Sequence, residues 1–337
     1  MQVKTNPSCT ETGTDIMKIY GNELIINTFH SMLENERMAH SFLIYGEKGL
    51  GKKQIADYLA MMLVCESETK PCCTCRACRN AAEHHHPDII YAEHSGKLNG
   101  FSVETIRNIC SDVYIKPNNT DKKIYIFGDA DAITVQAQNS LLKLIEEPPP
   151  YAYFIFTASD KNIMLETILS RIISLSASEV TRETALEALE ANGLERTQAE
   201  EAVKCFGGNI GRCMEYIRSD ELKNAVQLTK SAADCIINRD EYGLLKLLTQ
   251  ASSDKNVFKT VVEMLDKVFR DALAVKFVPD QTIGCYPDGA RSLADSLTMN
   301  SCGQMHEACS EAYSLTERNV NIKLIASSLC GELISVR

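Results

Sequence analysis

The residues from 46 to 53 have the types and spacing of a loop that binds phosphate. They read Gly-Glu-Lys-Gly-Leu-Gly-Lys-Lys, follow a short apolar run and open a helical pattern. In such a loop the glycines let backbone N–H groups surround a phosphate, while the helix N-terminus contributes its positive end. We expect Lys52 to reach the outer phosphates. The candidate phosphate-binding residues are Gly46, Gly49, Gly51, Lys52 and Lys53.

The Mg²⁺ ion that accompanies a bound nucleotide would lack two ligands here. Position 53, where a hydroxyl normally binds the metal, holds a lysine. An inward-facing ammonium would repel the ion by roughly 4 kcal/mol per unit of metal charge at ~4 Å and an effective dielectric near 20, so we expect Lys53 to turn to solvent. After the apolar run 123–127, Gly128 replaces the metal-side Asp, and Asp129 stands where a water-activating Glu is expected. We favour a site that keeps only its ancestral shape, without intrinsic ATPase activity.

A cluster of cysteines indicates a structural zinc site. Residues 72–78 contain C-x-x-C-x-x-C, and a further cysteine lies seven residues upstream. The predicted ligands are Cys65, Cys72, Cys75 and Cys78, because four thiolates fit a closed tetrahedral Zn²⁺ site. Cys73 is predicted to be the spare cysteine, although an exchange between Cys72 and Cys73 stays open. The run 84–86 of three histidines is a disfavoured rival, since four cysteines already complete the coordination shell.

The elements that must position these groups alternate between strand and helix patterns as far as residue 178. The strand candidates are mostly continuous apolar runs, as expected for a parallel sheet that is buried on both faces. They are Phe42–Tyr45, Ile89–Ala92, Ile124–Phe127, Tyr153–Thr157 and Ile172–Leu175.

From Thr181 onwards the apolar period becomes helical. Thr181 is a predicted N-cap, Thr197 and Glu200 have the spacing of a capping box, and Gly207-Gly208 should end that helix. Beyond Ser219 we expect further helices, with apolar stripes in 257–269 and 319–333 and a loop over 278–289. The predicted domains are an α/β domain over 1–178, a small helical domain over 179–218 and a second helical domain over 219–337.

Composition restricts the function further. The 337 residues carry a net charge of −10, so we do not expect a protein that binds polyanions by itself. No apolar run approaches the ~20 residues of a membrane span, and no apolar stretch follows the N-terminal lysine as in a signal peptide. We expect a cytoplasmic protein. The chain has fourteen cysteines, and most of those outside the cluster are expected to be small buried residues.

An ordered set of motifs closely resembles the bacterial clamp-loader subunits of the gamma/tau and delta-prime type. The motifs span nearly the whole chain, and the set is more specific than any one of them. They are Met-Ala-His-Ser-Phe-Leu at 38–43, the phosphate loop, the cysteine cluster, His-Pro-Asp at 86–88, the run 139–149 ending in Glu-Glu-Pro-Pro, Thr-Ile-Leu-Ser-Arg-Ile at 167–172, and weaker matches at 269–273 and 319–321.

The resemblance implies an AAA+ α/β domain with a P-loop-type parallel sheet, then a helical lid and a helical collar that joins five subunits into a ring. The altered metal positions, with a chain that stops where a collar would end, imply the delta-prime type. Such a subunit loads the sliding clamp onto primed DNA as a component of the DNA polymerase III holoenzyme. Its implied partners are the gamma/tau and delta subunits, with the clamp and the DNA reached through the assembly.

The same resemblance assigns roles to individual residues. Arg171, in a Ser-Arg-Ile version of the family's Ser-Arg-Cys motif, would serve as an arginine finger for ATP on the adjacent gamma subunit. Such fingers contribute about 10³–10⁵ in rate where they have been measured. Thr157 and Arg212 are sensor-like positions, although the arginine is displaced by one residue and Gly211 stands in its place.

The helix that covers 134–146 could lie towards DNA in an assembly. Its core side is predicted to include Ala137, Leu141, Leu144 and Ile145, and its exposed side Gln136, Gln138, Asn139 and Lys143. DNA proximity and a plain solvated face both stay open for the exposed side. The Glu146-Glu147-Pro148-Pro149 end is interpreted as a helix stop, not as a catalytic carboxylate pair.

Two other functions remain alternatives. A gamma/tau-type ATPase subunit would bind Mg-ATP tightly and hydrolyse it, which Lys53 and Gly128 argue against. A zinc-dependent DNA-binding protein outside a ring would bind DNA strongly by itself, which the charge of −10 argues against.

Overall fold

The computed structural model describes residues 17–94, 100–278, 282–318 and 320–336. The chain divides into two compact units, Met1–Glu179 and Val180–Arg337. Of the predicted motifs, Asn319 and part of the loop over 278–289 lie outside the described residues. Among the described helices, none has the length and apolar character that crossing a bilayer requires.

The first unit is a parallel five-stranded sheet with helices on both faces. Its strands pair in the order β2-β3-β4-β1-β5. The elements of this unit are α1 (Glu23–Glu34), β1 (Ser41–Tyr45), α2 (Lys52–Val64), α3 (Arg76–Ala82), β2 (Ile89–Tyr91), α4 (Val103–Asp112), β3 (Lys123–Phe127), α5 (Val135–Glu146), β4 (Ala152–Ala158), α6 (Glu166–Leu169) and β5 (Ile173–Ser176). All five predicted strands are confirmed, and so is the α/β AAA+ fold class, because the phosphate loop leaves β1 between β4 and β5.

The sheet is apolar on both faces because its strands alternate between two cores. In β1, Phe42 and Ile44 pack with α1 and α2, while Leu43 packs with the aromatic residues of β3 and β4 on the opposite face. Phe127 and Phe156 stack there with ring centroids 4.6 Å apart. The near-continuous apolar runs in the sequence follow from this two-sided burial.

The second unit is helical. It consists of α7 (Arg182–Ala191), α8 (Arg196–Phe206), α9 (Ile210–Arg218), α10 (Asp220–Asn238), α11 (Glu241–Ala251), α12 (Lys255–Val275), α13 (Pro287–Ser296), α14 (Met299–Glu317) and α15 (Ile322–Ser335). The apolar stripe of α12 lies in the core, with Phe258, Leu265 and Phe269 fully buried. The core around α7–α9 also includes Leu222 and Met264, so the predicted boundary between residues 218 and 219 stays a prediction.

Two local predictions in this unit are wrong. The helix α8 begins at Arg196 with Glu195 as its N-cap, so Thr197 and Glu200 do not form a capping box. The Glu200 carboxylate instead accepts a hydrogen bond from Arg196 Nε at 2.8 Å. The predicted loop over 278–289 is too long by three residues, because α13 starts at Pro287, where a missing N–H costs nothing.

A buried carboxylate holds the connection that leads into β3. Asp88 is fully buried and accepts hydrogen bonds from the backbone N–H groups of Asn118, Asn119 and Thr120 at 2.6, 2.8 and 3.0 Å. Burial acts to raise the pKa of Asp88, but these donors outweigh it and hold the pKa below its usual value. The ionised carboxylate therefore stabilises the first unit.

We expect Asp88→Asn to lower the free energy of unfolding by about 1–3 kcal/mol at neutral pH, because the amide leaves buried donors poorly paired. Because the folded-state pKa is depressed, this contribution is present above the usual Asp value of 3.8 and disappears as the pH falls through the lower folded value. Urea denaturation at several pH values measures it, with the exposed Asp121→Asn as the control. Equal stability of the two variants at pH 7 would contradict this account.

Candidate nucleotide, finger and metal sites

The loop between β1 and α2 has the backbone shape of a phosphate cradle. Gly46, Gly49 and Gly51 have φ angles of 146°, 95° and 74°, which side-chain-bearing residues rarely adopt. A Cβ on Gly46 would also lie only 2.8 Å from the carbonyl oxygen of Ala177, so the position requires glycine on steric grounds as well. The sequence pattern therefore corresponds to a real change of backbone direction at the start of α2.

The ammonium of Lys52 bonds to the loop itself. It donates to the carbonyl oxygens of Gly46 and Glu47 at 2.6 and 2.8 Å. Burial lowers the pKa of Lys52, although the negative charges of Asp131 and Asp129 act to raise it. A phosphate that entered the loop would have to replace these two carbonyl contacts.

Lys53 forms an ion pair that the sequence did not reveal. Its side chain is 63% exposed, but its ammonium lies 2.5 Å from Asp129 Oδ2. Two lysines at the positive end of α2 favour a nearby anion, which Asp129 supplies. The ion pair thus joins one altered position, Lys53, to the residue that follows the other altered position, Gly128.

The end of β3 is bound to the end of β4. The backbone N–H of Asp129, whose φ is 50°, donates to Thr157 Oγ1 at 2.9 Å, and Thr157 is fully buried. Asp131 accepts hydrogen bonds from the backbone N–H and the hydroxyl of Ser159. The hydroxyl of the predicted sensor-like Thr157 therefore holds Asp129 beside Lys53.

The second sensor-like residue, Arg212, lies in α9 of the helical unit. Its guanidinium is 3.3 Å from Glu215 and 3.8 Å from Glu263, and it lies over the ring of Phe206. Two carboxylates thus already neutralise this cation. Its sensor role stays a prediction.

Arg171 follows the four-residue helix α6. Its side chain is 40% exposed, and Nε lies 2.9 Å from a carboxylate oxygen of Glu146 at the end of α5. Sequence reasoning treated Glu146 only as part of a helix stop and missed this contact. The sequence signal that could have suggested the contact is the acidic residue at the end of α5, the preceding helix.

The helix α5 differs from its prediction at one position. Thr134 is its N-cap, and the four predicted core residues are buried. Gln138 was placed on the exposed side, but it is buried, because its amide donates to the carbonyls of Ile133 and Ile163 and accepts from the N–H of Leu165. Gln136, Asn139 and Lys143 are exposed.

Four cysteine sulfurs converge before α3. The Sγ atoms of Cys65, Cys72, Cys75 and Cys78 all lie within 4.8 Å of one another and could hold a metal ion. The Sγ atoms of Cys72 and Cys78 are 3.9 Å apart, close to the ~3.8 Å edge of a tetrahedron with Zn–S bonds near 2.3 Å. Cys73 is not one of the four; it is buried, with a φ of 56°.

Backbone N–H groups donate to three of these four sulfurs. The N–H groups of Cys72, Cys75 and Cys78 each lie 3.4 Å from the preceding sulfur of the cluster. Burial acts to raise the pKa of Cys72, but hydrogen bonds from Thr74 and Cys75 outweigh it and lower that pKa to about 6. Burial raises the pKa of Cys78, so a cation would have to offset this cost. The three histidines at 84–86 are not part of the group.

Comparisons with known proteins agree with this architecture. Residues 21–180 match the family described as "DNA polymerase III, delta subunit". The delta' subunit of Bacillus subtilis is 24% identical over 316 residues, covering 90% of this chain and 94% of the relative. The delta' subunit of Haemophilus influenzae is 34% identical over 177 residues, covering 51% and 52%. The gamma/tau subunit of Mycoplasma genitalium is 31% identical over 171 residues, covering 50% of this chain and 28% of the relative.

Two solved structures resemble the chain over most of its length. A gamma subunit-related protein of Thermotoga maritima covers 93% of this chain and 99% of its own, with 17% identity and a TM-score of 0.42. The clamp loader delta protein of Bacillus subtilis covers 92% and 99%, with 12% identity and a TM-score of 0.35. Because both TM-scores are below 0.5, the fold class rests on the strand order of this chain.

The sheet order and the phosphate loop define a P-loop protein of the AAA+ class whose cation-holding positions are altered. The family model that matches residues 21–180 and the likeness over nine tenths of the chain make this similarity more specific. The chain is similar to DNA polymerase III delta' subunits, and the resemblance read from the sequence motifs is confirmed.

Restoring both altered positions should restore metal binding. We expect Lys53→Thr combined with Gly128→Asp to gain Mg²⁺-dependent ATP binding, because the pair returns a hydroxyl and a carboxylate to the metal. A Cβ at position 128 would lie 3.6 Å from Lys53 Cε, an ordinary contact, so the larger residue fits. Titration calorimetry with and without Mg²⁺ measures the change. The matched control is Lys48→Thr with Gly128→Asp; equal affinity of the two double variants would contradict the assignment.

Proposed function

We propose that this chain is a clamp-loader subunit that does not hydrolyse ATP itself. Its Arg171 would contact ATP that is bound by a neighbouring gamma-type subunit. The observation that carries the first part is the Lys53–Asp129 ion pair beside Gly128. A Mg²⁺ ion placed there would meet a competing ammonium and would lack the hydroxyl and carboxylate that normally hold it. The assembled ring, with gamma/tau and delta partners, would load the sliding clamp onto primed DNA.

The position of Arg171 supports the second part of the proposal. The residue lies at an exposed end of α6, where a neighbouring chain could approach it. An arginine suits this role because its charge is permanent and its donors form a planar fork that matches phosphate oxygens. Supplied in trans, it would stabilise the charge that spreads over the transferring phosphoryl group.

Zinc is the metal that best fits the four-cysteine group. Four sulfurs that lie within 4.8 Å of one another can complete the shell of a structural Zn²⁺ ion and would leave no open position for a substrate. We propose that the ion ties the segment 65–78 to α2 and α3, whose short connection has little core of its own. The ion would therefore contribute to folding and not to catalysis.

Two points of the proposal follow from the family and not from the site. A cytoplasmic location is expected for a replication subunit of this kind. DNA contact is proposed only for the exposed side of α5, through Gln136, Asn139 and Lys143.

The likeness of about half the chain to gamma/tau subunits keeps a hydrolysing subunit as the second candidate. Tight Mg-ATP binding with turnover by the isolated chain would favour that candidate.

The finger role predicts a defect that appears only in the assembly. With gamma, delta, clamp and primed DNA, Arg171→Ala should leave assembly intact and sharply reduce DNA-stimulated ATP hydrolysis. An arginine finger raises the rate of hydrolysis about 10³–10⁵-fold at the site it serves. That site should therefore stop hydrolysing ATP, while the other sites in the ring continue. Gel filtration and steady-state phosphate release measure the two properties. The exposed Arg182→Ala is the control, and unchanged hydrolysis in Arg171→Ala would remove the finger role.

The zinc proposal predicts one metal ion per chain. Elemental analysis of protein purified without chelator should find about one Zn²⁺, because four thiolates hold a single tetrahedral ion. Cys78→Ser should lose the ion and lower the melting temperature, while Cys110→Ser, outside the group, should retain it. Full zinc occupancy in Cys78→Ser, or none in the wild type, would contradict the assignment.

A further inference from the structure

Most of the Arg171 guanidinium is already bound within its own chain. Nη1 donates to the carbonyl oxygen of Thr167 at 2.7 Å and lies 3.0 Å from the hydroxyl of Ser170, while Nε lies 2.9 Å from Glu146 Oε1. Within the described residues, Nη2 makes no such contact. The fork therefore keeps one nitrogen for an acceptor that comes from outside the chain.

These three contacts differ in how far they can fix the direction of the Arg171 guanidinium. Thr167 and Ser170 belong to the same short segment as Arg171 and would move with it. Glu146 is the last residue of α5, a separate and longer helix that is anchored in the core by Leu141, Leu144 and Ile145. Glu146 is thus the contact that ties the direction of the guanidinium to the rigid part of the first unit.

We propose that Glu146 is a positioning residue that holds the Arg171 guanidinium with Nη2 directed outwards, ready for a phosphoryl oxygen of a neighbouring subunit's ATP. The inference rests on the finger role proposed above. A free arginine side chain samples many rotamers, and holding it in one conformation before the neighbour binds removes an entropic cost from the reaction. Glu146 touches neither the nucleotide nor the reacting atoms, so its effect passes through Arg171.

Stability does not explain the pair. The two side chains are 40% and 44% exposed, and ion pairs with this exposure contribute little to folding because water screens them. Glu146→Ala should therefore leave the melting temperature and the assembly of the subunits nearly unchanged. A change in turnover without a change in either property separates positioning from a structural role.

The chain supplies its own control. Glu147 is the next residue, is exposed, and in the part of the chain that the structure describes its carboxylate contacts no cation. Glu147→Ala removes the same charge from the same helix end. Glu146→Gln keeps an oxygen that can accept from Nε but loses the charge, so it should retain part of the function.

The experiment measures DNA-stimulated ATP hydrolysis by the complete loader with six forms of this subunit. They are the wild type, Glu146→Ala, Glu146→Gln, Glu147→Ala, Arg171→Ala and the Glu146→Ala, Arg171→Ala double variant. We expect Glu146→Ala to slow the affected site about three- to tenfold, the cost of one long side chain left unordered, with KM for ATP unchanged. Glu146→Gln should be intermediate, Glu147→Ala normal, and the double variant no slower than Arg171→Ala.

Each outcome decides between the two proposals. Reduced hydrolysis in Arg171→Ala with normal or faster hydrolysis in Glu146→Ala would overturn the positioning role and leave the finger role standing. A further loss in the double variant would also overturn it, because Glu146 would then act independently of Arg171. Normal hydrolysis in Arg171→Ala would overturn both.

Discussion

The contact between Lys53 and Asp129 is the interaction on which the functional account depends. In a nucleotide site a divalent cation joins the phosphate loop to the acidic end of a second strand, which here corresponds to β3. Here a side-chain ammonium at 2.5 Å joins the same two segments. The N–H of Asp129 is held by the buried hydroxyl of Thr157, so the pair is fixed from the β4 side as well. On the proposed function, the fold would keep the shape of a nucleotide site without a metal ion.

That constraint gives the rest of the first unit a consistent role. The sheet is buried on both faces, and the buried Asp88 holds the connection that leads into β3. The cysteine group adds a second fixed point beside α2 and α3. On the proposed function, the first unit presents Arg171 directly after the short helix α6. Glu146 ties the guanidinium of Arg171 to α5. If this subunit binds no Mg-ATP, as proposed, Mg-ATP would not change its shape, and it could present the finger in one direction.

Much of this could be predicted from the sequence because the relevant signals are local. Strands buried on both faces are continuous apolar runs, and the four converging cysteines lie within fourteen residues of one another, from Cys65 to Cys78. Most of the misses arise where residues far apart in the sequence bind one another. Gln138 is buried because the carbonyl of Ile163 and the N–H of Leu165 reach it. This choice of partners is not visible in spacing alone, and the same holds for Lys53 with Asp129 and for Glu146 with Arg171. The capping box failed for a local reason, because α8 starts at Arg196, which pairs with Glu200 four residues later.

The most direct test of the central claim is ATP binding and turnover by the isolated wild-type chain as a function of Mg²⁺ concentration. The account predicts no turnover and no gain in ATP affinity on adding Mg²⁺, because the Lys53 ammonium beside Asp129 would repel the metal ion. ATP affinity that rises with Mg²⁺, accompanied by phosphate release from the lone chain, would contradict it.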